Sequence, residues 1–331
     1  MKSREVHLNE YLKGAPSASN YSVVEVDVPA PADGEVTVRN SYISVDPYMR
    51  GRMSGIKTYI DPFQIGAVMD GGAVGEVTAS NFDGLEVGDH VMSMHGWREG
   101  YTKPGNSLMK IDTSILPAQA YLGVAGLTGM TAYVGLKRII NLQAGETLWM
   151  SAGAGAVGSV GAQFAKAMGA TVIATAGGAE KCEYLKSIGV DHAIDYKATD
   201  NLADAIREVS PKGIDAYFEN VGGPHFTAAL ETLTGRGRMA VCGMIHRYND
   251  AEPSMIADNL TYIIGKSLKI EGFIVSDHMD IQGDFIKDLT EWMMAGKINP
   301  AETILEGIEK APEAFTGLFE GKNTGKMLVK I

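Results

Sequence analysis

Between residues 147 and 168 the chain reads Thr147-Leu148-Trp149-Met150, then Ser151-Ala152-Gly153-Ala154-Gly155-Ala156-Val157-Gly158, then Val160, Phe164 and Met168 continuing from Val157 at helical spacing. That order is strand, glycine turn, helix. Gly153, Gly155 and Gly158 form G-x-G-x-x-G. Without side chains the turn can be tight, its N–H groups can approach a pyrophosphate, and the helix can pack closely on the strand. The helix N-terminus adds partial positive charge. The expectation is a dinucleotide site at the edge of a parallel sheet.

The same alternation repeats downstream. Thr171–Thr175 reads as a strand leading into a helix Ala179–Ile188. His192–Asp195 leads into a helix Asn201–Val209, with Leu202, Ile206 and Val209 on one face. Ile214–Glu219 leads into a helix near Pro224–Leu233, and strands Arg238–Cys242 and Lys269–Val275 complete the series. Repeated β–α units predict an α/β doubly wound parallel sheet, with ligands at the carboxyl ends of its strands.

Both chain ends have another texture. From Val23 to Val91, short alternating runs such as Glu35-Val36-Thr37-Val38-Arg39-Asn40 are punctuated by Pro29, Pro31, Gly34, Gly71, Gly72, Gly84 and Gly88, a pattern suited to a barrel-like β domain. After Pro300, the segments Thr303–Lys310, Ala314–Phe319 and Lys326–Lys330 look like a return to it. The expected division is a β domain from 1–122 with 300–331, holding an inserted dinucleotide domain at 123–299.

Two cysteines, Cys182 and Cys242, among 331 residues give no disulfide framework and fit a reducing compartment, the cytoplasm. Met1 to Tyr11 is mixed and charged, unlike a signal peptide. Thr113 to Leu136 carries no charge, but Pro117, Gln119 and glycines at 123, 126, 129 and 135 suit a buried helix and turns, so no membrane association is expected. A net charge of −11 argues against a nucleic-acid partner. An anionic cofactor would need local positive charge.

The end of the second strand, Ala174-Thr175-Ala176-Gly177-Gly178, lacks the acid that grips a ribose 2′-hydroxyl in NAD sites. Glu180 falls in the following helix and is expected to face solvent. Small residues leave room for a 2′-phosphate. Lys181 can supply a charge-assisted contact and Tyr196 a phenolic hydrogen bond. The cofactor expected is therefore NADPH.

With these residues the chain resembles the medium-chain dehydrogenase/reductase family. It is most similar to the zinc-independent branch of prostaglandin reductases (leukotriene B4 12-hydroxydehydrogenases), plant double-bond reductases and bacterial curcumin reductases. The matching segments are Val45-Asp46-Pro47-Tyr48-Met49-Arg50-Gly51-Arg52-Met53, the glycine turn, Phe218-Glu219-Asn220-Val221-Gly222-Gly223, Gly272-Phe273-Ile274-Val275-Ser276-Asp277, Ala311-Pro312-Glu313-Ala314 and Gly321-Lys322-Asn323-Thr324-Gly325-Lys326. The resemblance implies a GroES-like β domain holding a Rossmann domain, and a homodimer. It implies that Gly155, Ala156, Val157 and Gly158 cradle the pyrophosphate, and that Lys181 and Tyr196 hold the 2′-phosphate. Asn220 would sit by the ribose with the Cys242–Gly243 loop beneath it. Phe273, Ile274 and Val275 would line the nicotinamide, and Asn323 would reach in from the closing segment.

Zinc-dependent relatives place a Cys near Val45 and a Gly-His-Glu run near Gly66; here Gly66 is followed by Ala67-Val68, and seven histidines form no ligand-spaced cluster. No metal is expected. Without a Lewis acid, simple alcohol oxidation loses its usual activation, which favours hydride addition to an electron-poor double bond. The substrate expected is an α,β-unsaturated ketone or aldehyde. The proton donor is Tyr248, in the Tyr-Asn pair that the family carries, or else the cofactor ribose. Tyr48, Met49, Arg50, Tyr59, Met69 and Trp97 are candidate walls of the substrate cleft. For Arg50 and Arg52 the readings are contact with a substrate carboxylate or, more simply, structural ion pairing. A second family tyrosine is replaced by Gly265, and Tyr262 is a candidate substitute. The competing readings are a quinone oxidoreductase and a non-catalytic NADPH-binding protein.

Overall fold

The computed structural model describes residues 1–252, 255 and 258–331. Six parallel strands form the sheet of the second domain in the spatial order His192–Asp195, Thr171–Ala176, Thr147–Met150, Ile214–Glu219, Leu233–Val241, Lys269–Gly272. Numbered along the chain, this is the order 3-2-1-4-5-6 of a Rossmann sheet. The central strands are covered on both faces and are largely apolar, with Glu219 and Thr175 buried among them. Leu148, Met150, Val172, Ala174 and Phe218 pack on one side with Phe164, Leu136 and Ile139. Trp149, Ile173 and Tyr217 pack on the other with Ile206, Ala229 and Leu230. The strand order reverses between Thr147–Met150 and Ile214–Glu219, so Ser151 and Asn220 flank the switch point where such sheets bind ligands.

The helices follow the sequence closely. Ala156–Ala167, Ala179–Ser187, Leu202–Val209 and Pro224–Thr232 each follow the expected strand, and Asn201 caps the third by accepting the N–H of Asp204. The uncharged run 113–136 is turns followed by the largely buried helix Leu127–Val134. Among the described residues no helix is long and apolar enough to cross a membrane. The last parallel strand ends at Gly272, so Val275 begins a short 3-10 segment instead of closing the strand. Helix Gln282–Met294 had no counterpart in the sequence reading. It buries Phe285, Leu289 and Trp292, spaced four and three residues apart.

The other domain is β-rich. Its main sheet runs Glu302–Glu306, Lys326–Lys330, Glu35–Ser44, Ala73–Ser80, His90–Ser93, Met109–Lys110, and Gly100–Pro104 pairs with Glu35–Ser44. Strands from beyond residue 300 are thus hydrogen-bonded to strands from before residue 111. A hairpin of Lys2–Leu8 and Tyr21–Asp27 lies outside this sheet. The closing segment also touches the Rossmann domain: Gly325 bridges Gly155, and its N–H donates to the Ala154 carbonyl at 2.8 Å.

Candidate functional site

The glycine turn is built by backbone sterics. Ala152 holds a left-handed φ of 47°, a conformation costly for alanine. A Cβ on Gly158 would overlap the Ala152 carbonyl oxygen, so no other residue fits there. Gly155 starts the 12-residue helix in extended conformation with no side-chain cap, leaving the first-turn N–H groups of Ala156, Val157 and Gly158 to face an anion.

At the switch point the Asn220 side chain donates to the Ser151 carbonyl at 2.8 Å, and its N–H donates to Ser151 Oγ at 2.8 Å. Beneath them Glu219 is fully buried. Its Oε1 accepts from Ser151 Oγ, the Tyr217 hydroxyl and the Val221 N–H, at 3.1, 2.9 and 2.6 Å. Burial raises the pKa of this carboxyl. The Glu219 carbonyl accepts the N–H groups of Cys242 and Gly243, seating that loop next to Asn220. The Cys242 thiol is pushed up to about 12 by burial and by Glu219, so it stays protonated.

One end of the crevice is positively charged. Lys181 Nζ donates to the Gly321 carbonyl at 2.8 Å, and its pKa is lowered by burial and by the nearby Lys197 ammonium. A Cβ on Gly177 would lie 2.8 Å from Lys197 Cε and 3.1 Å from the Tyr196 hydroxyl. Both side chains therefore fold over the same small-residue turn. Asp195 holds the arrangement by accepting the N–H groups of Gly178 and Lys197. Neither lysine has an acid within ion-pair range among the described residues, and Glu180 is exposed as expected. Two ammonium groups and a phenol around a turn whose own residues carry no acid, with the Asp195 carboxylate engaged by backbone N–H groups, fit a phosphate dianion. Lys197 was missed by the sequence reading; its position directly after Tyr196, just past the third strand, was the available signal.

At the other end, the Tyr248 hydroxyl accepts the Met244 N–H at 3.3 Å and lies 3.1 Å from where a Cβ of Gly243 would be. Burial raises its pKa, with smaller contributions from Cys242, Tyr59 and Glu219. Phe273 meets Phe218 edge-on at 6.3 Å; Ile274 and Val275 follow it, half-buried. From the β domain come half-buried Tyr48, whose pKa is raised by burial, and exposed Tyr59. Asn323 is buried, and its amide donates to the Gly325 carbonyl, fixing the turn that docks on Ala154.

Two family models match the chain: an N-terminal domain of oxidoreductase over residues 4–111 and a zinc-binding dehydrogenase over residues 156–292. The NADPH-dependent curcumin reductase of Escherichia coli is 38% identical, over 96% of this chain and 94% of its own. The NADP-dependent 2-alkenal reductase of Nicotiana tabacum is 38% identical over 100% and 98%. The crystal structure of CurA from Vibrio vulnificus in complex with NADPH superposes with a TM-score of 0.94 at 40% identity, covering 99% of this chain and 98% of that one. The chain belongs to the medium-chain dehydrogenase/reductase family. The second of these families is that of zinc-binding dehydrogenases; among the described residues of this chain no group of three or more His, Cys, Asp or Glu is placed to hold a metal ion.

Within this medium-chain reductase fold several expected cleft residues lie elsewhere. Met49, Met69 and Trp97 have no exposed surface. They are packed in the core under the segment 46–53, with Trp97 against Tyr21 and Phe315. Large apolar side chains next to a loop lose more by facing water than by turning inward, and here the core accepts them. Tyr262 is 40% exposed, and its ring lies 4.7 Å from Lys266 Nζ. That ammonium is held by the carbonyls of Leu230 and Glu231, which ties Tyr262 to the end of helix Pro224–Thr232. Arg52 pairs with Asp70 and covers Phe63, the structural role expected. Among the described residues Arg50 has no such acid: its hydrogen bonds go to the carbonyls of Leu12 and Gly14 and to Asn249.

Proposed function

We propose that the protein is an NADPH-dependent reductase of the carbon–carbon double bond of α,β-unsaturated ketones and aldehydes. The observation that carries this reading is the pairing, along one crevice, of a two-lysine phosphate cradle at a strand end without an acid and a half-buried tyrosine hydroxyl. The curcumin and 2-alkenal reductases among the relatives support it.

Ala156, Val157 and Gly158 hold the pyrophosphate on the open helix turn. Lys181, Lys197 and Tyr196 hold the 2′-phosphate, Asn220 and the Cys242–Gly243 loop bound the ribose, and Phe273 to Val275 shape the nicotinamide pocket. The chemistry supplied by bound NADPH is hydride addition to the substrate's β-carbon. Negative charge then develops on the substrate's carbonyl oxygen. The Tyr248 hydroxyl donates a hydrogen bond there and is the source of the proton for the α-carbon. A phenol is protonated at neutral pH and burial shifts its pKa further up, so it can donate throughout the physiological range. Tyr48 and Tyr59 form the polar part of the opposite wall. The reading includes a cytoplasmic homodimer divided at residues 122/123 and 299/300; two unpaired cysteines suit a reducing compartment.

The test is loss of reduced-nicotinamide absorbance against a panel of enones, enals and simple quinones, with NADH in parallel and EDTA present. Enone turnover that prefers NADPH, and a kcat roughly a hundred-fold lower in Tyr248→Phe with unchanged NADPH affinity, is the expected result. Turnover of quinones alone, or NADPH binding with no turnover, overturns the assignment.

A further inference from the structure

Arg50 is a buried cation, 4% exposed, and all its hydrogen-bond acceptors are neutral. Nε donates to the Gly14 carbonyl and to Asn249 Oδ1, both at 3.2 Å; Nη2 donates to the carbonyls of Gly14 at 2.8 Å and Leu12 at 3.4 Å. Burial lowers its pKa, yet a guanidinium remains charged. Two residues on, Arg52 has Asp70 as counter-ion. Among the described residues Arg50 has no carboxylate in ion-pair range. A buried charge left without a counter-ion is costly, and a well-packed apolar residue would stabilise the same space better. The guanidinium therefore serves geometry more than stability.

The acceptors show which geometry. Leu12 and Gly14 follow the first strand of the N-terminal hairpin, and Arg50 lies in the short helix Met49–Arg52. These belong to the β-rich domain. Asn249 belongs to the loop after the strand Leu233–Val241 of the Rossmann sheet, 199 residues from Arg50 in sequence. The bond to Asn249 thus crosses between the domains and ends one residue from Tyr248. The Tyr248 hydroxyl is itself held by one long backbone contact. Ile245 to Asn220 and His246 to Val221 tie the start of the turn to the Rossmann domain, whereas Arg247 to Met244, Tyr248 to Ile245 and Asp250 to Arg247 are internal to the loop, so none of these bonds fixes its far end against the β domain. We infer that Arg50 is a positioning residue: through Asn249 it holds the loop carrying the Tyr248 hydroxyl against the β domain. The inference rests on the proposed reductase reading for its kinetic consequence, and on the hydrogen bonds alone for its structural one.

The test compares Arg50→Met, Asn249→Leu, their double variant and Asn249→Asp in the full chain. It uses an enone that carries no carboxylate, with NADPH affinity measured separately. Each single loss removes a hydrogen bond to a charged group, so kcat falls roughly ten-fold or more while NADPH affinity is unchanged. The double variant falls no further than the worse single one, because one tie has been cut twice. Asn249→Asp keeps an acceptor for the guanidinium and retains activity. Amide exchange in residues 245–250 quickens in both single variants. Additive losses, an Asn249→Leu enzyme with unchanged kcat, or exchange unchanged in that loop overturns the inference. So does an Arg50→Met defect confined to the KM of carboxylated enones, which would make Arg50 a substrate contact. Should Arg50→Met not fold, the two Asn249 variants carry the test. Should the wild type reduce no enone, the reductase reading fails while the exchange comparison still decides the tie.

Discussion

At Gly158 a side chain would run into the Ala152 carbonyl, and at the helix start only backbone N–H groups face the crevice. Across from it, the segment 46–52 is held by buried charges. Lys326 donates to Asp46 at 3.0 Å and to the Val45 and Met327 carbonyls, Ser44 bonds to the other oxygen of Asp46, and Arg52 grips Asp70. One wall of the crevice is thus shaped by main chain and local sterics, the other by side chains reaching over long sequence distances. The backbone wall suits the part of a ligand that does not vary, a pyrophosphate. The side-chain wall can be rebuilt residue by residue, which suits the part that varies between substrates.

The largest effect that would sharpen this contrast is in the side-chain wall. Lys326→Met strands the Asp46 carboxylate in the interior and is expected to lower stability by about 3–5 kcal/mol by denaturant titration, while Lys326→Met with Asp46→Asn recovers part of it. An unchanged unfolding midpoint would show that the buried pair does not hold this wall. Gly158→Val tests the backbone wall. The overlap should cut NADPH affinity roughly a hundred-fold in a fluorescence titration, and normal binding would break the contrast outright. At the phosphate end the backbone wall does rely on side chains, and Lys197→Ala should reduce the preference for NADPH over NADH by about ten-fold in kcat/KM. The smallest effect concerns His225, whose imidazole is held down to about 4 by burial and by His246. An unfolded histidine titrates near 6.5, so between those values the unfolded chain binds more protons. Stability is therefore present above about 6.5 and is lost as pH falls towards 4. His225→Phe should flatten that decline by about 1 kcal/mol in denaturation curves taken at stepped pH. An unchanged slope would mean that other groups set it.

The same contrast explains what the sequence made legible. The glycine turn, the succession of strands and helices, and the small-residue strand end beside Lys181 and Tyr196 could be read because their determinants are local: missing side chains, short periodicities, a strand end without an acid. The φ of Ala152 left no such mark, since alanine is usual in helices and strands alike. Met49, Met69 and Trp97 were misplaced because an apolar residue near a loop looks the same in sequence whether it faces a cleft or a core. Only the packing against Tyr21 and Phe315 decides. The bond from Arg50 to Asn249 had no signal at all, because neither residue is informative without the fold that joins them.

Gly155 and Gly325, bridged in the fold, lie 170 residues apart along the chain. Contacts so distant in sequence form late, after the intervening loop has been closed. During synthesis the strand Lys326–Lys330 must leave the ribosome before the turn at Ala154 gains its last hydrogen bond. A nascent chain that has already finished its parallel sheet still has an incomplete cofactor cradle, and NADPH can add its full binding energy to folding only after that closing segment has docked.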